Sequence, residues 1–559
     1  MNWRNRSAFV AGLTALLAAT LPCTPVTAAT GNQNKIFLSC DGYNWPEDKG
    51  DWMLIEPYPL GMFSLAPHRI VPKPVVLGDA GRKACDEALA TGALRPDHTL
   101  RRVNILRARA LHRLSTGDLP GATADLDLAA AALPPGDRFH DRSLRLNIDL
   151  IRAAILVRNG DQAGANRLAA AAADSRPYSR RITLASLYAM GPGADPAVAE
   201  EMMLRLARLD PRFLDVLIVE AFEAGDFEKV IALYPQLSSP WEEEYDLWRK
   251  EIRPMRLNIN ERLAMIHQAD FVGYYAYALA ATGRQDEALK VIGRFRQDSA
   301  DASRLAVRAP DAAKPSAEVQ RLRDLKVVLA RKAASIQAWS ALVDLRLLAG
   351  RDPAAAAAAL PATGLRSRRV RVDLVDAILA QAPQEAARLP DVSVSRRELA
   401  RRPVFGGNLD ELVEMLPEPE ADTHLSAFLP RKLLTGDAFK GGYERLDFPG
   451  RTRTTFWFQS RQSTPAVIEE EALLVVAKAA RAAGADGFVI IGRRDVQHIM
   501  VNSGPYGSAE FPEAYSTQLD VVFVTGGVSP GVAAWRILPA APIEAALDPL
   551  YLMAGPAER

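Results

Sequence analysis

Apolar and small residues recur at helical spacing through Thr99 to Leu133, in two blocks. Ile105, Ala108, Leu111 and Leu114 mark the first. The pattern stops at Gly117-Asp118 and resumes at Ala122, Leu126, Ala129 and Ala130. Steps of three and four residues predict two amphipathic helices joined by a tight turn, with alanines where the helices cross. The same punctuation returns down the chain, as an apolar helix, a glycine followed by Asp or Arg, and an Ala-rich helix. It is found at Leu114…Gly117-Asp118, Leu156…Gly160-Asp161, Phe222…Gly225-Asp226, Leu279…Gly283-Arg284 and Leu347…Gly350-Arg351. At each turn the glycine is expected to take the left-handed conformation that ends one helix, and the polar residues after it to cap the next. A hairpin of this kind cannot bury its apolar face alone, so neighbouring hairpins must stack on it. Residues 82–401 are therefore read as a helical-repeat array.

On either side of this block the pattern changes. Residues 30–81 carry Pro46, Pro57, Pro59, Pro67, Pro72 and Pro74 among Tyr43, Trp45, Trp52 and Tyr58. Proline at this density excludes a helix interior, while the aromatics argue against disorder. The reading is an irregular arm packed on the first helices. Residues 402–439 mix Pro, Gly and acidic residues and are read as a linker, with a short helix expected near Leu409 to Leu416. From residue 440 to 559 the period shortens. YERLDF, a Pro449-Gly450 turn and RTRTTFWFQS read as two strands. Pro465 to Ala483 reads as a helix, with Pro465, Glu469, Glu470 and Glu471 suited to its N-terminal end. Gly487 to Ile491 is a buried strand, Asn502 to Tyr506 a loop, and Thr517 to Thr525 a further strand. The fold class is mainly α, a helical-repeat solenoid followed by a small α+β domain.

The repeat block resembles tetratricopeptide repeats on two stretches. These are Asn104 to Leu133 and Tyr274 to Arg294, YYAYALAATGRQDEALKVIGR. The resemblance implies a solenoid whose extended surface takes a peptide or a folded protein. The spacing departs from the roughly 34-residue period of the family, because the turn glycines are from 43 residues (Gly117 to Gly160) to 67 residues (Gly283 to Gly350) apart. Some units must carry extra helices. Pro240 to Asn260, with Trp241, Tyr245 and Trp248 at helical spacing, is one candidate, its aromatics read as core. The stretch from Gly442 to Thr525 resembles a small α/β domain of bacterial envelope lipoproteins, on GYERLDFPGRTRTTFWFQS, EEEALLVVAKAARAAGADGFVIIGRR and QLDVVFV. That resemblance implies a fold and brings no mechanism with it.

Composition places this architecture in a compartment. Met1 to Ala29 reads as a secretory leader, with Arg4 and Arg6, an apolar core from Ala8 to Ala19, and small residues at Val26-Thr27-Ala28. Thr20-Leu21-Pro22 before Cys23 lacks the small residues of a lipobox, and no later stretch reads as a membrane span. Cys40 and Cys85 are then the cysteines of the mature chain. In an oxidising compartment they are expected to form a disulfide worth about 4 kcal/mol of loop-closure entropy. The 68 basic and 67 acidic residues leave a net charge of +1, which argues against nucleic acid as a partner. The localisation expected is the periplasm.

Candidate chemistry is sparse. The seven histidines make no His-x-x-x-His pair, no Gly-x-Ser-x-Gly elbow is present, and Gly526 to Gly531 lacks the Lys-Ser/Thr of a phosphate loop. No metal or cofactor is expected. Asp495, Gln497 and His498 follow a strand and, with Ser503, Tyr506 and Glu510, outline a speculative loop site. Two readings of function follow. The first is a non-enzymatic scaffold for protein–protein interaction in the cell envelope. The second is a small-ligand sensor or enzyme with its site in the C-terminal domain.

Overall fold

A computed structural model of the chain describes residues 31–46, 55–56, 68–69, 71–237, 259–306, 317–362, 367–400, 408–420, 442–447, 453–504, 507–527 and 531–551. The expected leader, part of the proline-rich arm, the aromatic stripe at Trp241, Tyr245 and Trp248, most of the expected linker, and Tyr506 lie outside the described residues. The described chain is mainly helical, with a small antiparallel sheet in its C-terminal part.

Helix α1 (Gly31–Cys40) opens the described chain, inside the stretch read as irregular. The correction has a simple cause, since the prolines begin only at Pro46. Helix α2 (Asp79–Ala90) follows, and the Cys40–Cys85 disulfide joins the two. Trp45 packs edge-on against Phe37 at 5.1 Å, so this part of the arm lies against the helices as expected.

The first hairpin is α3 (Thr99–Thr116) and α4 (Leu119–Ala132). Gly117 between them has φ 87°, and the Asp118 carboxylate accepts from the Gly121 N–H at 3.0 Å. This left-handed residue plus side-chain cap ends one helix and starts the next within two residues. The whole device repeats at Gly160-Asp161 and Gly225-Asp226, and its left-handed glycine alone at Gly283, with φ between 82° and 84°. It separates α5 (Leu146–Arg158) from α6 (Gln162–Ser175), α9 (Phe213–Ala224) from α10 (Phe227–Leu233), and α11 (Ile259–Ala281) from α12 (Gln285–Ala306). Between the second and third of these hairpins lie α7 (Arg180–Met190) and α8 (Pro196–Leu209). Gly350 departs from the expectation, because it lies within α13 (Ala317–Arg351) and is not a turn. The break falls at Asp352, which leaves helical geometry and accepts from the Ala355 N–H to cap α14 (Pro353–Ala359). The Asp352 N–H closes the last turn of α13 on the Leu348 carbonyl at 2.8 Å, and Pro353 suits the first position of α14.

Helices α15 (Arg368–Gln381), α16 (Ser393–Ala400) and α17 (Leu409–Met415) complete the helical body. The short helix expected near Leu409 is present, and it packs against α7. One apolar core runs from Val103 through Leu187, Phe222, Tyr277 and Leu374 to Leu416.

Two short strands, β1 (Ile55–Glu56) and β2 (His68–Arg69), pair within the arm. The C-terminal sheet has the order β3-β4-β6-β5-β7 and is antiparallel throughout. Its strands are β3 (Gly442–Asp447), β4 (Arg453–Ser460), β5 (Gly487–Gly504), β6 (Gly507–Val524) and β7 (Leu538–Pro539). Helices α18 (Pro465–Ala482) and α19 (Ala540–Tyr551) close a second core over Phe456, Phe458, Phe488, Ile490 and Leu519. The expected order of strand, strand, helix, strand, strand holds. The expected loop from Asn502 to Tyr506 shrinks to the connection after Gly504, because β5 and β6 stay paired as far as Gly504 opposite Gly507. At the junction the two cores interlock, with Leu209 of α8 in the second and Trp535 against the first.

The two kinds of turn predict opposite responses to the same substitution. Gly117→Ala forces a Cβ into the left-handed region and should cost about 1–2 kcal/mol in urea unfolding. Gly350→Ala adds a methyl in open space within a helix and should be neutral or stabilise by up to about 1 kcal/mol.

Candidate functional site

Helix α18 carries Lys478 and Arg481 at its outer end, paired with Asp548 and Glu544 of α19, and three consecutive glutamates near its start. Thr464 caps it, accepting from the Val467 N–H, and Pro465 fills the first position. Glu469, Glu470 and Glu471 come in the second turn, and all are buried. At 100° per residue they fan over a wide arc, so each meets a different wall of the junction between the helical body and the sheet.

Glu470 faces the helical body. Arg176, fully buried after the end of α6, grips it with two parallel bonds, Nε to Oε1 at 3.1 Å and Nη2 to Oε2 at 2.9 Å. The Arg142 guanidinium donates to Glu470 Oε2 at 2.5 Å, and the Tyr551 hydroxyl at the end of α19 donates to the same oxygen. Arg142 projects from a π-turn, Asp141–Arg145, just before α5. The turn also presents the Arg142 carbonyl to Arg176 at 2.9 Å and Ser143 Oγ to the Glu420 N–H at 3.2 Å. Glu420 accepts from Arg176 at 2.8 Å and from Thr464 at 3.0 Å. Two arginines thus balance two carboxylates.

Glu469 faces α7 and β5. Its Oε2 accepts from Ser179 Oγ at 2.8 Å and from the Arg181 N–H at 3.0 Å, and Arg493 lies 2.9 Å from Oε1. Arg493 donates to Asp495 and to the Leu209 carbonyl. Arg180 stands between Glu469 (3.4 Å), Asp495 (3.3 Å) and Asp210 (3.8 Å). Asp210 is clasped by Arg212 at 2.6 Å. Glu471 accepts from Ser463 Oγ at 3.4 Å. A further cation, Arg536, is buried with carbonyls as its hydrogen-bond partners, those of Gln236 at 2.6 Å and Ile490 at 2.8 Å.

The electrostatics follow from burial and pairing. Burial pushes the Glu470 carboxyl up, but Arg142, Arg176 and the Tyr551 hydroxyl outweigh it and bring it to about 2. Glu420 is raised, because burial there exceeds the pull of Arg176. Asp495 is lowered, since Arg493 and Arg180 overcome its burial. Burial, with Asp495 and Glu469 beside it, lifts the Tyr515 hydroxyl to about 12. Burial and the neighbouring Asp210 raise Asp215, in the first turn of α9, to about 6. Burial alone pulls Arg536 down to about 10.

Asp495, His498 and Ser503, described members of the speculative loop site, do not converge. Asp495 and His498 are three positions apart on β5 and so lie on opposite faces of the sheet. Asp495 accepts from Thr517 Oγ1 at 2.9 Å and belongs to the charged junction. His498 Nε2 is 2.9 Å from Ser516 Oγ, and its ring stacks on Trp457 at 6.5 Å. Ser503 pairs with Ser508 at the far end of the β5–β6 ribbon. Eight residues of strand put it about 26 Å from Asp495. Among the described residues no three His, Cys, Asp or Glu side chains are grouped to hold a metal ion. No helix among them is long and apolar enough to cross a membrane. No protein-family model, curated protein or solved structure matches the chain.

Two carboxyls give measurable consequences. Glu470 has its folded pKa below the ordinary value of 4.5, so its contribution is present above pH 4.5 and is lost as pH falls toward about 2. Glu470→Gln should cost about 3–5 kcal/mol at pH 7, and the deficit should shrink over that acid window in urea unfolding. Asp215 is the reverse case. Its raised pKa means that the ionised form opposes folding above pH 6. Asp215→Asn should stabilise the chain by up to about 3 kcal/mol at pH 8 and leave it unchanged at pH 3.

Proposed function

We propose that the protein is a non-enzymatic scaffold of the cell envelope. In this reading a tetratricopeptide-like array is held rigidly to its α+β domain and binds a protein or peptide partner in the periplasm. The observation that carries it is how the charged side chains at the junction are used. Asp495, the acidic member of the candidate loop site, is engaged by Arg493, Arg180 and Thr517. Glu469 and Glu470 are likewise engaged by groups of the helical body. The junction holds two bodies in one orientation, which suits a binding platform. Stacked hairpins supply the extended surface, the secretory leader supplies the route, and the disulfide fits an oxidising compartment.

Photo-crosslinking in the native envelope tests this. Leu128 on α4 and Leu289 on α12 are large apolar residues exposed on the second helices of hairpins, while Leu446 is exposed on β3. A crosslinker placed in the full-length protein at residue 128 or 289 should capture the same partner, and one at residue 446 should not. Absence of any protein adduct, together with a small molecule that raises the melting temperature of the chain, would favour the ligand-sensor reading instead.

A further inference from the structure

A second buried polar knot lies at the N-terminal end of the helical body. His112 on α3 is fully buried. Its Nε2 is 2.9 Å from the Cys40 carbonyl, where α1 ends. The backbone N–H of Gly78, which precedes α2, donates to its Nδ1 at 3.2 Å. A carbonyl only accepts and an amide N–H only donates, so the ring proton sits on Nε2 and the imidazole is neutral. A second proton has one place to go, on Nδ1, where the Gly78 N–H already points. The ring has no room to turn aside, since a Cβ on Gly81 of α2 would stand 2.0 Å from its Cε1.

From this geometry we propose that His112 is an acid-operated latch. A proton on Nδ1 sets donor against donor and loosens α1 and the segment ending at Gly78 from the first hairpin, while the Cys40–Cys85 bond keeps them tethered. The freed element is a cap. Phe37 and Cys40 of α1 close a small apolar cluster over Cys85, Ala88, Leu94, Ile105 and Ala108, and terminal units of stacked arrays need such a cover.

The charged surroundings do not welcome the proton. From the α1 side, Asp41 acts on the ring, but Arg101 at 3.0 Å and Asn104 at 2.8 Å already hold it, and Arg107 lies beyond. Helix α2 contributes Asp79, Arg82 and Asp86, which pair with one another and with Arg109 of α3. Arg109 and Arg113 of α3 are taken up by Asp118 and Asp125 on the α4 side. Helix α5 offers the neutral Asn147 to Arg107. Burial lowers the His112 pKa, and the Cys40 carbonyl and Asp41 offset it only in part. With the folded pKa below the ordinary 6.5, docking is fully supported above that pH and weakens as pH falls beneath it.

Hydrogen exchange on the full-length, disulfide-intact protein between pH 7.5 and 4.5 tests the latch. After correction for intrinsic rates, protection of residues 31–46 and 71–90 should fall below the onset by up to about tenfold per pH unit, the slope of a one-proton linkage. Residues 146–175 should hold. In His112→Gln the side-chain amide donates and accepts without titrating, so protection should persist to pH 4.5. Should that variant not fold, the ring resonance of His112 in isotope-labelled wild-type protein should titrate below pH 6.5 and coincide with the loss of protection. His98, buried at the start of α3 with neither ring nitrogen hydrogen-bonded, supplies the control substitution. The latch is overturned by a transition that disappears in His98→Asn, by one that survives in His112→Gln, or by protection that holds while His112 titrates.

Discussion

The bidentate pair between Arg176 and Glu470 is the constraint on which the rest of the architecture depends. It joins residues 294 positions apart, with both partners fully buried. A buried guanidinium or carboxylate left alone costs several kcal/mol, far more than either helix can supply from local interactions. The pair therefore ties two bodies that each have their own apolar core into one cooperative unit. Arg142, Glu420 and Tyr551 complete it, and the neighbouring group around Glu469 repeats the principle with a different set of arginines.

This arrangement changes how the chain divides. By pattern alone, residues 82–401 form a separable array and residues 402–439 a linker. In the structure, α17 lies on α7, its core residues Leu412 and Leu416 join those of the helices, and Glu420 reaches Arg176. A cut after residue 401 would remove Glu420 and Glu470 and leave Arg142 and Arg176 facing no carboxylate there. The repeat-like region and the α+β domain are distinct in secondary structure and inseparable in electrostatics.

What was legible in the chain was whatever is decided within a few residues. Gly117, Gly160, Gly225 and Gly283 announce their turns because a left-handed residue after an apolar helix is a local demand. Gly350 misleads because Asp352-Pro353 makes the same break by another route. The two cysteines gave their pairing by elimination, and the structure has it. The charged junction was hidden, since its partners meet only through the tertiary fold. One signal was present. From Pro465 to Ala477 helix α18 is apolar on every side except Glu469-Glu470-Glu471, and such a stretch is buried all round, so its glutamates need buried cations. The length of β5 was masked in a similar way. Arg493 and Asp495 belong to the buried face and read as loop residues only if charge is taken to mean exposure.

The π-turn at Asp141–Arg145 has a consequence for the order in which the molecule is completed. It positions Arg142 and, through its carbonyl, Arg176, and both precede Glu470 and Tyr551 in the order of synthesis. Until they arrive, the helical body carries two guanidiniums at a surface destined to be covered, still hydrated and mutually repelling. Docking of the C-terminal segment thus supplies the carboxylate that both guanidiniums face. A chain that stops short of residue 551 leaves Glu470 without its hydroxyl donor, and one that stops short of residue 470 leaves a basic, unsealed flank exposed to whatever meets nascent proteins.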